Sequence, residues 1–170
     1  ICKYVNIASR AAGFIFKKFE GRVDDSAMQD PLLEAIRSRA EEVKGFFEIR
    51  EFARATRLVM ELADKINEFV DQEKPWELAK NPEARAELHR VSSIALEGFR
   101  LLTLYLKPVL PATATRVEDF LSIEPLTWAS VPVPLSSASP IKAFKHLMQR
   151  VDMETVSYTH LRAHETDQYL

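Results

Sequence analysis

Asn6 and Arg10 stand four residues apart in a segment of helical period. One helical turn therefore brings an amide and a guanidinium to the same patch, the two groups best suited to hydrogen-bond the edges of nucleic-acid bases. Gly13 keeps the next turn low, and Lys3 and Lys17 extend the stripe in both directions. Trp76 follows Pro75 at a helix boundary, the residue type and setting on which an unstacked RNA base can stack. Residues 1–22 hold Lys3, Arg10, Lys17, Lys18 and Arg22 against Glu20 alone, in a chain whose formal net charge is −2. Positive potential is thus concentrated on one helix, as contact with a polyanion requires. A plainer reading stands beside this one: basic residues opposite an apolar face are what any solvated helix shows, and a tryptophan at such a boundary is more often a loop anchor packed into the bundle.

Catalytic chemistry finds no support. The four glycines, at 13, 21, 45 and 98, are isolated from one another and form no phosphate-cradling loop. The one cysteine, Cys2, excludes an internal disulfide and a Cys-cluster zinc site, and fits a reducing compartment. His89 and His146 lie in helical settings and read as surface or structural residues. Carboxylates such as Asp24-Asp25 and Glu41-Glu42 are adjacent, point to different faces, and make no acid/base pair. No catalytic residue, metal site or cofactor site is expected. There is no run of eighteen apolar residues and no leader segment, so a cytoplasmic protein with no membrane partner is expected. The chain opens without methionine on Ile1-Cys2-Lys3-Tyr4, already in a helical pattern, and its start reads as a truncation.

The elements that must position these residues are helical: few glycines and clustered prolines leave long uninterrupted segments. In the first, Val5, Ala8, Ala12, Ile15, Phe16 and Phe19 recur at steps of three and four and predict a core face, with Gly21 as terminator. Asp30-Pro31 is a cap followed by proline at the first helical position, and predicts a second helix to about Phe47. A third carries Ile49, Phe52, Thr56, Val59, Ala63, Ile66 and Val70 on its inward face and stops near Lys74-Pro75. Asn81-Pro82 opens a central helix to Lys107, apolar on nearly every side, and 112–121 offers a short fifth with Val117, Phe120 and Leu121 inward. The expected architecture is therefore an all-α bundle of about five helices over residues 1–121. A Pro-rich extended arm, 122–139, follows and is anchored by Trp128; a final amphipathic helix, 140–155, carries Phe144, Leu147, Met148 and Val151. Residues 156–170 have no clear period and resemble translated adapter read-through, so they are set aside as non-native; His160 and His164 there are spaced for a metal but lack a third ligand.

Asn6-Ile7-Ala8-Ser9-Arg10 with Gly13-Phe14 resembles the first helix of the anticodon-binding domain of methionyl-tRNA synthetases. Phe69-Val70-Asp71-Gln72-Glu73-Lys74-Pro75-Trp76 is similar to that family's segment before its base-stacking tryptophan, and Tyr105-Leu106-Lys107-Pro108-Val109-Leu110-Pro111 to the end of its central helix. Pro140-Ile141-Lys142-Ala143-Phe144 and Arg150-Val151-Asp152 resemble the closing helix, so the likeness covers roughly residues 1–155. The resemblance implies that a CAU anticodon loop of methionine tRNA opens onto the bundle. Trp76 would stack on a base, Asn6 and Arg10 would bond base edges, and Asp71 and Pro75 would support the tryptophan. Ala11 stands where some relatives have asparagine, which removes any contact by that side chain. The family's His-Ile-Gly-His and Lys-Met-Ser-Lys-Ser signatures and its zinc-binding cysteines are missing from this sequence. By the same resemblance, joining methionine to tRNA, with ATP, magnesium and in some members zinc, belongs to an N-terminal catalytic domain outside this sequence. The final helix, with Phe144, Leu147, Met148 and Val151, would dock toward that domain or pack on the bundle itself. The competing expectation is a non-catalytic helical adaptor whose basic stripe binds an acidic protein partner.

Overall fold

The computed structural model describes residues 2–144. Long helices form where the apolar period is uninterrupted: α1 (Cys2–Lys18), α4 (Phe52–Glu73) and α6 (Arg85–Leu106). Shorter ones are α2 (Pro31–Arg37), α3 (Ala40–Glu48), α5 (Pro75–Leu78) and α7 (Pro111–Leu121). Among the described residues no helix is long and apolar enough to cross a membrane.

The proline-marked starts fall where expected. Asp30 accepts a hydrogen bond from the Leu32 amide at 2.9 Å and caps α2, whose first residue is Pro31. Asn81 caps a 3-10 turn, Pro82–Ala84, through the Glu83 amide at 3.0 Å, and that turn leads into α6. The expected second helix is divided in two, because the backbone breaks at Ser38 and Arg39, neither glycine nor proline. The tertiary cause is visible at the break: the buried Tyr105 hydroxyl donates to the Ile36 carbonyl at 2.9 Å, and the Arg37 guanidinium donates to the Met28 carbonyl at 3.0 Å.

α6 is the axis of the molecule, with every residue from Val91 to Leu106 buried. α1 lies against it antiparallel: Tyr4 stacks on Phe99 with centroids 4.7 Å apart, while Phe19 at the other end stacks on His89 at 4.0 Å. His89 also meets the Arg22 carbonyl at 2.8 Å, a structural histidine as expected. α4 crosses α6 where Gly98 leaves no side chain; a Cβ there would sit 2.7 Å from Ile66 Cδ1, so this glycine is required for close approach. Gly21, at φ +76, lies past the end of α1, and its amide returns to the Ile15 carbonyl at 3.0 Å.

The inward faces are rotated slightly from expectation. On α1 the buried set is Tyr4, Ile7, Ala8, Ala11, Ala12 and Ile15, while Phe16 is exposed. On α4 it is Ala55, Leu58, Val59, Leu62, Ala63, Ile66 and Val70; Ile49 in the turn before it and Phe52 at its first position are exposed.

Residues 122–141 cross the bundle as an arm after Ser122 ends α7 in a left-handed conformation. Leu126, Leu135 and Ile141 are buried, and Trp128 stacks on Tyr105 at 5.9 Å. Two buried carboxylates hold the arm's backbone. Glu118 accepts from the Leu126 amide at 2.8 Å and from Lys107 Nζ at 2.5 Å. Glu97, fully buried, accepts from the Leu135 amide at 3.0 Å and from both Arg100 and Arg37. Arg100 completes the clasp by donating to the Ser130 carbonyl at 3.0 Å.

The final helix expected from Pro140 has no helical turn over residues 140–144. Of its four docking candidates, Phe144 packs on the bundle itself, edge-on to Phe120 at 5.5 Å. Leu147, Met148 and Val151, together with His146, His160 and His164, lie outside the described residues.

Candidate nucleic-acid interface

The stripe Lys3, Asn6, Arg10, Lys17 is exposed along α1, as its period requires, with Gly13 half-buried in the middle. α4 and α5 run parallel to α1 on its flank in constant register, each contact separated by 61 residues: Lys3 with Asp64, Arg10 with Asp71, Lys18 with Ala79. Asn67 fixes the same seam by donating to the Ala63 carbonyl at 2.8 Å and the Lys3 carbonyl at 3.3 Å.

Trp76 is placed by the corner between α4 and α5. Lys74 adopts a left-handed conformation, φ 46, and serves both helices: its amide closes α4 on the Val70 carbonyl at 3.0 Å, and its carbonyl accepts from the Glu77 amide at 2.8 Å to start α5. A non-glycine residue in that region, ahead of a proline, is a strained choice that the surrounding packing must enforce. Pro75 is buried and anchors the corner, leaving Trp76 outward at 38% exposure. Trp76 is therefore not the packed loop anchor of the plainer reading. Lys18 Nζ ties α5 to α1 through the Ala79 carbonyl at 3.1 Å.

The structure brings Arg10, Asp71 and Trp76 into one cluster. Arg10 donates to Asp71 Oδ1 at 3.0 Å, and its guanidinium carbon lies 5.7 Å from the Trp76 ring centroid, within reach of a cation–π attraction. Both partners of the ion pair are solvent-exposed, with side chains 43% and 62% accessible, so it stabilises the fold by no more than about 1 kcal/mol and opens readily. Asn6 lies one turn before Arg10; among the described residues its side-chain amide has no partner, and its backbone carbonyl accepts from Ser9 Oγ at 3.0 Å.

The strongly basic helix expected from charge counting is largely neutralised or engaged. Lys3 pairs with Asp64 at 2.7 Å, Arg10 with Asp71, and Lys18 and Arg22 donate to the carbonyls of Ala79 and Ser137. Lys17 is exposed and, among the described residues, without an ion-pair partner, as is Lys74 across the seam. Asp64 and Asp71 thus offset part of the charge on this face, where an amide, a guanidinium and an indole ring lie near one another. Asp64 and Asn67 were not singled out from sequence. Their signal was present: Asp64, Asn67 and Asp71 repeat the spacing of Lys3, Asn6 and Arg10, a matching polar row on a second helix. Among the described residues no group of three or more His, Cys, Asp or Glu side chains is placed to hold a metal ion.

Comparison with known proteins bears on what this surface meets. Residues 21–160 match the family model described as the anticodon binding domain of methionyl tRNA ligase. That span includes Trp76, stops short of α1, and runs five residues into the tail set aside as non-native. The methionine–tRNA ligase of Cupriavidus necator is 58% identical over 156 residues, 92% of this chain and 23% of that protein. The Ralstonia nicotianae enzyme of the same name is 54% identical over 154 residues, 91% of this chain and 22% of that protein. The chain therefore spans less than a quarter of the length of these relatives. The apo crystal structure of Mycobacterium tuberculosis methionyl-tRNA synthetase superposes with a TM-score of 0.77 at 22% identity, over 86% of this chain and 31% of that one. The same enzyme in complex with methionyl-adenylate gives 0.77 at 24% identity, over 87% and 31%. On the family match and the curated relatives together, this chain belongs to the anticodon-binding domains of the methionyl-tRNA ligases.

Proposed function

We propose that this chain is the anticodon-reading part of a methionine–tRNA ligase, and that it reads the CAU loop of methionine tRNA through Asn6, Arg10 and Trp76. The observation that carries the proposal is the cluster itself: a half-exposed indole beside a guanidinium held by a weak, exposed ion pair, with an amide one turn away that has no partner among the described residues. Trp76 supplies an apolar face for an unstacked base, worth about 1–3 kcal/mol per base. Arg10 exchanges Asp71 for a base edge at small cost, because the pair it leaves is solvated on both sides. Asn6 supplies a donor and an acceptor to the neighbouring base, and a base with the wrong edge leaves these groups unmatched.

Asp71 and Pro75 act through the others, the first by aiming Arg10 and the second by anchoring the corner that projects Trp76. Lys17 and Lys74, without an ion-pair partner among the described residues, add positive charge for phosphates along the seam. Activation of methionine with ATP and its transfer to tRNA belong to a catalytic part of the longer protein; this domain holds the anticodon and so fixes the tRNA's register relative to that distant site.

The test is binding of a CAU anticodon stem-loop RNA to the 170-residue chain and two variants. Trp76→Ala loses about 5- to 150-fold in affinity, the equivalent of one base stack. Arg10→Ala narrows the preference for CAU over a swapped anticodon more than it weakens binding of the swapped RNA. Wild-type affinity for CAU RNA in both variants contradicts the proposal.

A further inference from the structure

The geometry points to Gly13 as the residue that admits the RNA to α1: its missing side chain is a notch over which the sugar–phosphate backbone of the loop passes, and any Cβ there excludes it while leaving the fold intact. The inference rests on the anticodon-reading proposal and adds to it a residue selected for what it lacks.

Glycine is a poor helix former, and Gly13 lies inside a 17-residue helix, so its presence there weakens α1 and needs a compensating reason. Two of the other glycines have such a reason within the molecule. Gly98 is required by Ile66 and Gly21 by its positive φ and by Ile141, whose carbonyl would be 2.7 Å from a Cβ. Gly13 has neither: its backbone is ordinary helix, and a Cβ built on it meets nothing within 4 Å. Among the described residues nothing fills the space beside it.

Its position says where that room is needed. The constant separation of 61 residues sets Gly13 level with Lys74, at the corner that projects Trp76. On its own helix it lies one turn beyond Arg10 and one turn before Lys17. A base stacked on Trp76 and bonded by Arg10 brings the backbone of the loop across α1 beside this seam, where Gly13 is the one position of the stripe without a side chain. Lys17, unpaired among the described residues, stands beyond it for the next phosphate. Gly45 also has an open Cβ site, but on α3, with none of these neighbours; it serves as the control.

The experiment compares Gly13→Ala, Gly13→Leu, Gly45→Ala and Trp76→Ala in the 170-residue chain, measuring urea unfolding and affinity for the CAU stem-loop RNA. Both alanine substitutions at glycine raise the unfolding midpoint. Only those at position 13 weaken RNA binding, in the order Leu beyond Ala, with Gly13→Leu approaching the 5- to 150-fold loss, about one base stack, of Trp76→Ala. Unchanged binding in Gly13→Leu alongside a loss in Trp76→Ala overturns the role of Gly13 and leaves the anticodon proposal standing. A fall in the unfolding midpoint of Gly13→Ala also overturns it, since the fold itself would then need the glycine. Unchanged binding in Trp76→Ala overturns the anticodon proposal, and the role of Gly13 with it.

Discussion

Glu97→Gln changes one oxygen to nitrogen at the centre of the clasp that holds the arm, and its cost follows from the geometry. Glu97 is fully buried and accepts from Arg100 Nε and a terminal guanidinium nitrogen, each at 2.8 Å, from Arg37 at 3.1 Å and from the Leu135 amide at 3.0 Å. Glutamine keeps the shape but turns one acceptor into a donor, which then faces another N–H. It also leaves Arg100, 2% exposed, with no countercharge among the described residues, and Arg37, 13% exposed, with only the exposed Glu34 at 3.8 Å. Removing one partner of a buried ion pair costs about 3–5 kcal/mol. For a chain of this size that lowers Tm by about 6–20 °C. Circular dichroism melts give the total. Fluorescence of Trp128 in a Trp76→Phe background reports the arm alone, since these are the two tryptophans of the chain. Loss of Trp128 packing ahead of the helical signal is the expected result. A Tm within about 2 °C of the parent, the effect of less than 1 kcal/mol, refutes the reasoning.

Two further perturbations separate stability from recognition. Asp71→Asn changes folding stability by less than about 1 kcal/mol, because both sides of its pair with Arg10 are solvated. It removes a carboxylate facing the RNA and the guide of Arg10, so binding of any tRNA tightens while the margin between cognate and swapped anticodons shrinks; a widened margin contradicts the role given to Asp71. Tyr4 and Tyr105 predict alkaline instability: burial pushes both phenols well above their ordinary value of 10.0. The unfolded chain releases these protons near that value and the folded chain does not. The stabilisation is therefore complete below pH 10 and declines above it, by up to about 1.4 kcal/mol per pH unit for each tyrosine. Urea midpoints followed to about pH 12 check this, with Tyr4→Phe and Tyr105→Phe each removing part of the slope; a flat profile contradicts it.

Most helix starts were legible because they rest on local chemistry. Asp30-Pro31 and Asn81-Pro82 mark starts, and Lys74-Pro75 the end of α4, through a cap, a missing donor or a fixed φ within a few residues; that Pro75 also opens the short α5 was not expected. The break at Ser38 was not, since Tyr105 and Glu97, about sixty residues away, hold the chain there. The buried pair Glu97 and Arg100 reads locally as one more surface ion pair. Its signal was its isolation, as these are the only charged side chains between Val91 and Leu106, in a stretch apolar on every side. In the candidate site, Arg10 and Trp76 were nominated by residue type and setting, whereas Asp71 came only through the family resemblance, as a support of Trp76 rather than a partner of Arg10, and Asp64 not at all. Asp64 and Asp71 face α1 only through the register of two helices, which periodicity within either one leaves open.

The central claim is that Asn6, Arg10 and Trp76 distinguish one anticodon from another, and binding of full-length methionine tRNA against the same tRNA with a swapped anticodon tests it most directly. At moderate salt the 170-residue chain prefers CAU by about 5- to 150-fold, the value of one well-matched base contact, and the preference survives as salt is raised. Equal affinity for the two tRNAs, falling in parallel with salt, contradicts it.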